Sequence, residues 1–96
     1  MKIRIKGFFT IKDAMGRNAE LEIDADRITI REILIKLSNR YGGQFREEVF
    51  DPKSKEVRPE NQILVNWRHY RYLTNGLDTE LNDGDFLALF PVVAGG

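Results

Sequence analysis

The sequence contains no cysteine. That absence removes disulfides, thiolate nucleophiles and every cysteine-ligated metal site, and it agrees with a reducing compartment. Histidine occurs once, as His69. A metal site recruits several ligands and a general base needs a group that orients it, so a lone His69 beside Arg68 in an expected hairpin reads as a surface residue. Net charge is missing too: 15 Lys and Arg stand against 15 Asp and Glu. No global field draws the chain to nucleic acid or to an anionic membrane, and neither is expected as a partner. No apolar run approaches the roughly 20 residues of a membrane span. The opening "MKIRIKGFFTIKD" alternates charge instead of presenting the apolar stretch of a signal peptide, so the expected location is the cytoplasm. Glycine-rich phosphate loops of the G-x-G-x-x-G or G-x-x-x-x-G-K-S/T kind are absent as well.

What is there is an ordinary globular composition, 42% hydrophobic and 31% charged over 96 residues, enough for one domain with one core. "KIRIKGFFTI" alternates: Ile3, Ile5, Phe9 and Ile11 fall on one face and Lys2, Arg4 and Lys6 on the other, the period of a half-buried strand. Gly7 interrupts the apolar row, as a bulge or a close backbone approach would require. "KDAMGRNA" supplies a turn, and "ELEID" alternates again through Leu21 and Ile23 to complete a hairpin.

"TIREILIKLSNRYGG" is the clearest helix. Thr29 and Glu32 form a capping box. Ile30, Ile33, Leu34, Leu37 and Tyr41 share a helical face, and Gly42 and Gly43 stand where a left-handed cap is wanted. "QFREEVF" is either a short helical turn or an irregular segment. "QILVNW" and "HYRYL" read as short strands across a turn at residues 66–68. "TNGLDTELNDGD" is loop and turn. "FLALFPV" is an apolar strand placed centrally in the sheet and ended by Pro91. The order predicts an α+β fold, a mixed sheet of four to five strands with one main helix packed on one face.

Catalytic machinery is not evident. Ser38 lies inside the helix and Ser54 in the "DPKSKE" turn, with no triad partners. Glu47 and Glu48 are adjacent in sequence and point to different faces of any helix. Asp83 and Asp85 flank Gly84 in a tight turn whose carboxylates cap backbone N–H groups. Trp67, the one tryptophan, sits at a turn. It either packs the loop onto the core or forms a contact patch for a partner. Such a domain binds something or is acted upon.

The remaining feature is the end, "FPVVAGG". Gly95 and Gly96 carry no β-carbon and can enter a narrow channel in unusual backbone conformations. Residues 92–96, extended at about 3.3 Å each, reach roughly 16 Å past the sheet. "NGLDTELNDGDFLALFPVVAGG" resembles the C-terminal portion of the MoaD/ThiS sulfur-carrier family of ubiquitin-like β-grasp proteins. The matching pieces are the Asp83-Gly84-Asp85 turn, the apolar strand ending at Phe90-Pro91, and the final Gly95-Gly96. The strand–strand–helix opening agrees, so the resemblance spans most of the chain. The sequence departs from the pattern in a longer region between Tyr41 and Asn61 and in Trp67, where relatives often have Gly or Gln.

The resemblance implies a β-grasp domain over residues 1–91 and a flexible tail over residues 92–96. It implies no bound cofactor and no independent enzyme activity. A ubiquitin-activating-like enzyme would use ATP to adenylate the Gly96 carboxylate, and a sulfur donor carrying a persulfide would convert it to a thiocarboxylate. Phe90 and Pro91 would root the tail, and Val92, Val93, Ala94 and Gly95 would make the slim approach to a partner. In the MoaD branch that partner is a MoaE-like large subunit of molybdopterin synthase, serving molybdenum or tungsten cofactor synthesis. Other branches supply thiamine, cysteine or tRNA thiolation. Two other readings stand beside it: a ubiquitin-like modifier conjugated through Gly96, and a binding module whose glycines are inert.

Overall fold

The structure, a computed structural model, describes residues 1–17 and 19–91. Strand β1 (Lys2–Gly7) is followed by helix α1 (Phe9–Ala14), strand β2 (Glu20–Asp24) and the long helix α2 (Ile30–Tyr41). Then come α3 (Gly43–Val49), β3 (Gln62–Val65), β4 (Arg68–His69), two single 3-10 turns at Tyr70–Tyr72 and Gly76–Asp78, and β5 (Phe86–Phe90). Among the described residues the sheet has five strands, in the order β2-β1-β5-β3-β4. β1 runs parallel to β5 and antiparallel to β2, while β3 is antiparallel to both β5 and β4. The first and last strands of the chain therefore lie side by side at the centre, as expected for "FLALFPV".

Period-two alternation divides the sheet into two faces. Ile3, Ile5, Ile63, Val65, Leu87 and Leu89 point inward and are buried. They meet Ile30, Ile33, Leu34 and Leu37 of α2 and Phe45 and Val49 of α3 in one core. Helix α2 begins as the sequence dictates. The Thr29 hydroxyl accepts from the Glu32 N–H at 3.1 Å, and the Thr29 N–H donates to the Glu32 carboxylate at 3.1 Å. Thr29→Ala removes one side of that exchange and should cost about 1 kcal/mol. In thermal denaturation it should appear as a melting point about 4–8 °C lower.

Three expectations need correction. β1 stops at Gly7, and Phe9 and Ile11 belong to α1 rather than to the strand. Ile11, Ala14 and Met15 follow helical spacing, and Ile11 and Met15 are buried under it. The link between β1 and β2 is thus a helix folded back over the strand end, and Gly16 (φ +74°) stops it. Gly7 is the close approach that the sequence suggested: a β-carbon there would lie 2.5 Å from Met15 Sδ and 3.3 Å from the Lys12 nitrogen.

Second, Gly42 does not make a left-handed α cap. Its φ of 90° and ψ of −157° lie in a region open essentially to glycine, and it joins α2 directly to α3, which starts at Gly43. The long region between Tyr41 and Asn61 is ordered by this joint, by the bridge between Phe50 and Val57, and by Asn61, whose amide donates to the Glu48 carbonyl at 2.8 Å. Within it the Asp51 carboxylate accepts the Ser54 and Lys53 N–H groups, which hold its pKa below the ordinary value.

Third, "HYRYL" contributes only Arg68 and His69 to the sheet before turning into a 3-10 helix. Among the described residues no helix is long and apolar enough to cross a membrane.

Candidate functional site

The candidate site lies on the outward face of the sheet. The parity that sends Ile3 and Ile5 inward sends Lys2, Arg4, Lys6 and then Phe8 outward, beside Phe86, Ala88 and Phe90 of β5. Across β5, Leu64 lies opposite Ala88 and Gln62 opposite Phe90. Among the described residues no helix covers this side. Phe8 stacks on Phe90 with ring centroids 4.1 Å apart and planes within 7°. Phe9 and Trp67 flank Phe90 at 6.4 and 6.5 Å, and Trp67 also stands edge-on to Phe86 at 5.4 Å. The Arg4 guanidinium lies over Phe86 at 5.3 Å and the Lys6 ammonium over Phe8 at 5.2 Å. Towards β2, Arg4 pairs with Glu20 at 3.1 Å and Lys2 with Glu22 at 3.6 Å. The result is an aromatic patch bordered by cations, with carboxylates beyond them.

The turns hold this patch in register. Asn66 and Trp67, both at positive φ (50° and 70°), form the two-residue β3–β4 connection. Positive φ at both central residues is the mark of a type I′ hairpin turn. The Asn66 side chain donates to Asp85 at 3.0 Å and accepts from the Phe86 N–H at 3.0 Å, which ties the turn to the start of β5. Asp83 accepts from the Lys2 N–H at 2.7 Å, and Asp85 accepts from the Asn82 N–H at 2.7 Å. The carboxylates of the "DGD" turn are therefore caps that hold β1 and β5 together.

Phe90 is half-buried at the end of β5 and Pro91 is buried just after it. Together they close the central strand against the folded domain. Val92, Val93, Ala94, Gly95 and Gly96 lie outside the described residues. The other candidates have structural duties. Half-buried His69 stacks on Tyr70 at 4.6 Å and accepts the Arg71 N–H through Nδ1, which fits its reading as a surface residue. Buried Ser38 donates to the Leu34 carbonyl, and Ser54 accepts the Glu56 N–H. Glu48 accepts from the Thr10 hydroxyl. Sequence reasoning missed Phe8, although strict period two from Lys2 already placed it outward. For Trp67 the structure favours the surface: the ring remains 61% exposed.

A mixed sheet with its first and last strands paired at the centre, holding one long helix against one face, is the ubiquitin-like β-grasp. The class is thus a small ubiquitin-like protein. The chain belongs to the ThiS family, whose family model matches residues 8–96. It is 39% identical over 77 residues to a "Putative sulfur carrier protein" of Archaeoglobus fulgidus, covering 80% of this chain and 84% of that one. It is 31% identical to small archaeal modifier protein 3 of Haloferax volcanii over the full length of both chains. The crystal structure of SAMP1 from Haloferax volcanii superposes with a TM-score of 0.80 at 25% identity, covering 100% of each chain. A "Putative molybdopterin converting factor, subunit 1" from Pyrococcus furiosus superposes with a TM-score of 0.71 at 28% identity, covering 97% of this chain and 99% of that one.

Proposed function

We propose that the protein is a sulfur carrier whose Gly96 carboxylate is activated and then converted to a thiocarboxylate. The observation that carries this is the rooting of the glycine-ended segment. β5 is hydrogen-bonded on both edges, Phe90 is stacked on Phe8, and Pro91 is buried, so residues 92–96 start from a fixed point beside an exposed aromatic face. Membership of the ThiS family supports the same reading.

A carboxylate oxygen of Gly96 attacks the α-phosphorus of ATP and pyrophosphate leaves, giving an acyl adenylate. The terminal sulfur of a donor persulfide then adds to the carbonyl carbon and AMP leaves, giving an acyl disulfide. A thiol reduces that disulfide and releases the thiocarboxylate together with a new disulfide on the donor side. The chain supplies no catalytic group to these steps; the partner enzymes do. With no cysteine in the sequence, the transferable sulfur resides on the carboxyl carbon. The aromatic face around Phe86, Ala88 and Phe90 docks the adenylating enzyme, while Val92 to Gly95 thread towards its ATP.

The likeness to the Pyrococcus furiosus protein favours, as the finer assignment, a small subunit of molybdopterin synthase that delivers sulfur to a pterin precursor held by the large subunit. The match to small archaeal modifier protein 3 favours a second reading, a modifier joined through Gly96 to lysines of other proteins. Intact mass spectrometry of the protein purified from its host separates them. A carrier is expected to show a fraction heavier by one sulfur in place of one oxygen, whereas a modifier shows higher-mass conjugates. Finding neither would refute the sulfur-carrier assignment.

A further inference from the structure

Four described residues other than glycine have positive φ: Phe9 (55°), Lys55 (67°), Asn66 (50°) and Trp67 (70°). Asn66 belongs to a residue type that tolerates this region, and its side chain is locked onto Asp85 and Phe86. Lys55 lies in an exposed loop, with its N–H donated to the Asp51 carbonyl. Phe9 and Trp67 are different: both are bulky aromatics in a conformation that disfavours them. Neither recovers the strain by burial, since they remain 64% and 61% exposed. Both stand against the same ring, Phe90, at the root of the tail. The second central position of a type I′ turn is the one glycine fills best. Folding alone would place glycine at position 67.

We infer that Trp67 is a recognition anchor for the adenylating enzyme: with Phe9 it brackets Phe90 and seats an apolar side chain of that enzyme beside a carboxylate that pairs with Lys6. This inference rests on the sulfur-carrier reading and names the residues by which the carrier is recognised. The charge pattern selects the carboxylate. Of the three cations on β1, Arg4 and Lys2 already hold Glu20 and Glu22. Lys6 is paired with no carboxylate among the described residues and lies over Phe8, in register with Ala88 at the middle of the patch. A partly exposed aromatic cluster with an unpaired cation in its midst has the composition of an interface centre, where tryptophan is enriched among the residues that dominate affinity.

The experiment is carrier-dependent ATP–pyrophosphate exchange with the adenylating enzyme of the same host, alongside thermal denaturation of each carrier variant. Trp67→Gly is expected to melt at or above the parent temperature, because relief of backbone strain offsets the lost ring contacts. The KM for the carrier should rise about 10-fold or more, with kcat held within about twofold, the pattern of lost binding rather than lost chemistry. Trp67→Phe should recover much of that KM. Lys6→Glu should raise KM on its own, by a factor that shrinks as salt increases. A melting point about 4 °C or more lower in Trp67→Gly would make the ring a structural residue and overturn the inference. So would an unchanged KM in a carrier that is adenylated normally. Failure of the parent protein to be adenylated at all would overturn the sulfur-carrier reading beneath it.

Discussion

Deletion of Gly96 is expected to abolish acyl-adenylate and thiocarboxylate formation while leaving the melting temperature unchanged. The chemical half of that expectation follows from reach. Without Gly96 the terminal carboxylate belongs to Gly95 and falls about 3.3 Å short of its place beside the ATP α-phosphorus. A misplacement of only ~1 Å can cost about 100-fold in rate, so a loss of at least that size is expected. The structural half follows from the core: among the described residues, the buried apolar cluster that holds the domain together runs from Ile3 to Leu89. Gly95→Val should act similarly, because a branched side chain widens the segment that must pass through the partner's channel. The checks are pyrophosphate exchange, intact mass and thermal denaturation on the same samples. Thiocarboxylate formed at the parent level by either variant would remove Gly96 from the mechanism.

Gly7→Val carries the second large effect, and it acts on the fold. A β-carbon at position 7 would lie 2.5 Å from Met15 Sδ, 3.1 Å from Ile11 Cγ2 and 3.3 Å from the Lys12 backbone nitrogen. Met15 is flexible, but it is buried and has little space to yield into. The Lys12 nitrogen is main chain, so relief requires α1 to lift from the sheet. Overpacking of this kind costs about 1–3 kcal/mol, and valine adds two further methyl groups to the clash, so the upper end, about 3 kcal/mol, is expected. For a domain of this size that corresponds to a melting point lower by about 12–24 °C. The displacement also disturbs Phe8 and Phe9, which adjoin Gly7, so docking should weaken in parallel. Met15→Ala in the milder Gly7→Ala background should recover part of the loss, and a double-mutant cycle by chemical denaturation would read that coupling. A Gly7→Val protein within about 0.5 kcal/mol of the parent would show that α1 is not pinned there.

These two glycines illustrate what was legible in the sequence. Patterns confined to one element were readable: the alternation of β1, the Thr29–Glu32 capping box, the Asp83–Asp85 turn and the apolar run of β5. Each rests on a local rule of spacing or capping. Helix α1 was hidden because Phe9 and Ile11 also continue the period-two row of β1. The competing pattern, Ile11, Ala14 and Met15, gains its weight only once Gly7 lets a helix lie on the strand. Helix α3 was obscured in the same manner, since Phe45 and Val49 form a single buried step whose value depends on the Gly42 joint. The glycines of the tail were visible at once, but their reading as the working end rested on the resemblance to the sulfur-carrier family. The aromatic bracket around Phe90 was not visible, because Phe8, Phe9, Trp67 and Phe90 come from separate segments of the chain that only the completed sheet brings together.

The central position of β5 also has a mechanical meaning. In the proposed cycle the terminal segment would be threaded into one enzyme, withdrawn and offered to another, and each withdrawal would place it under tension. That tension enters the domain along β5, which is bonded to β1 on one edge and to β3 on the other. A pull along the strand loads both ladders in shear, so many hydrogen bonds share the force at once. An edge strand would peel away bond by bond under the same load. On that reading the domain is a tow-bar, expected to release its tail from a partner before its own sheet gives way.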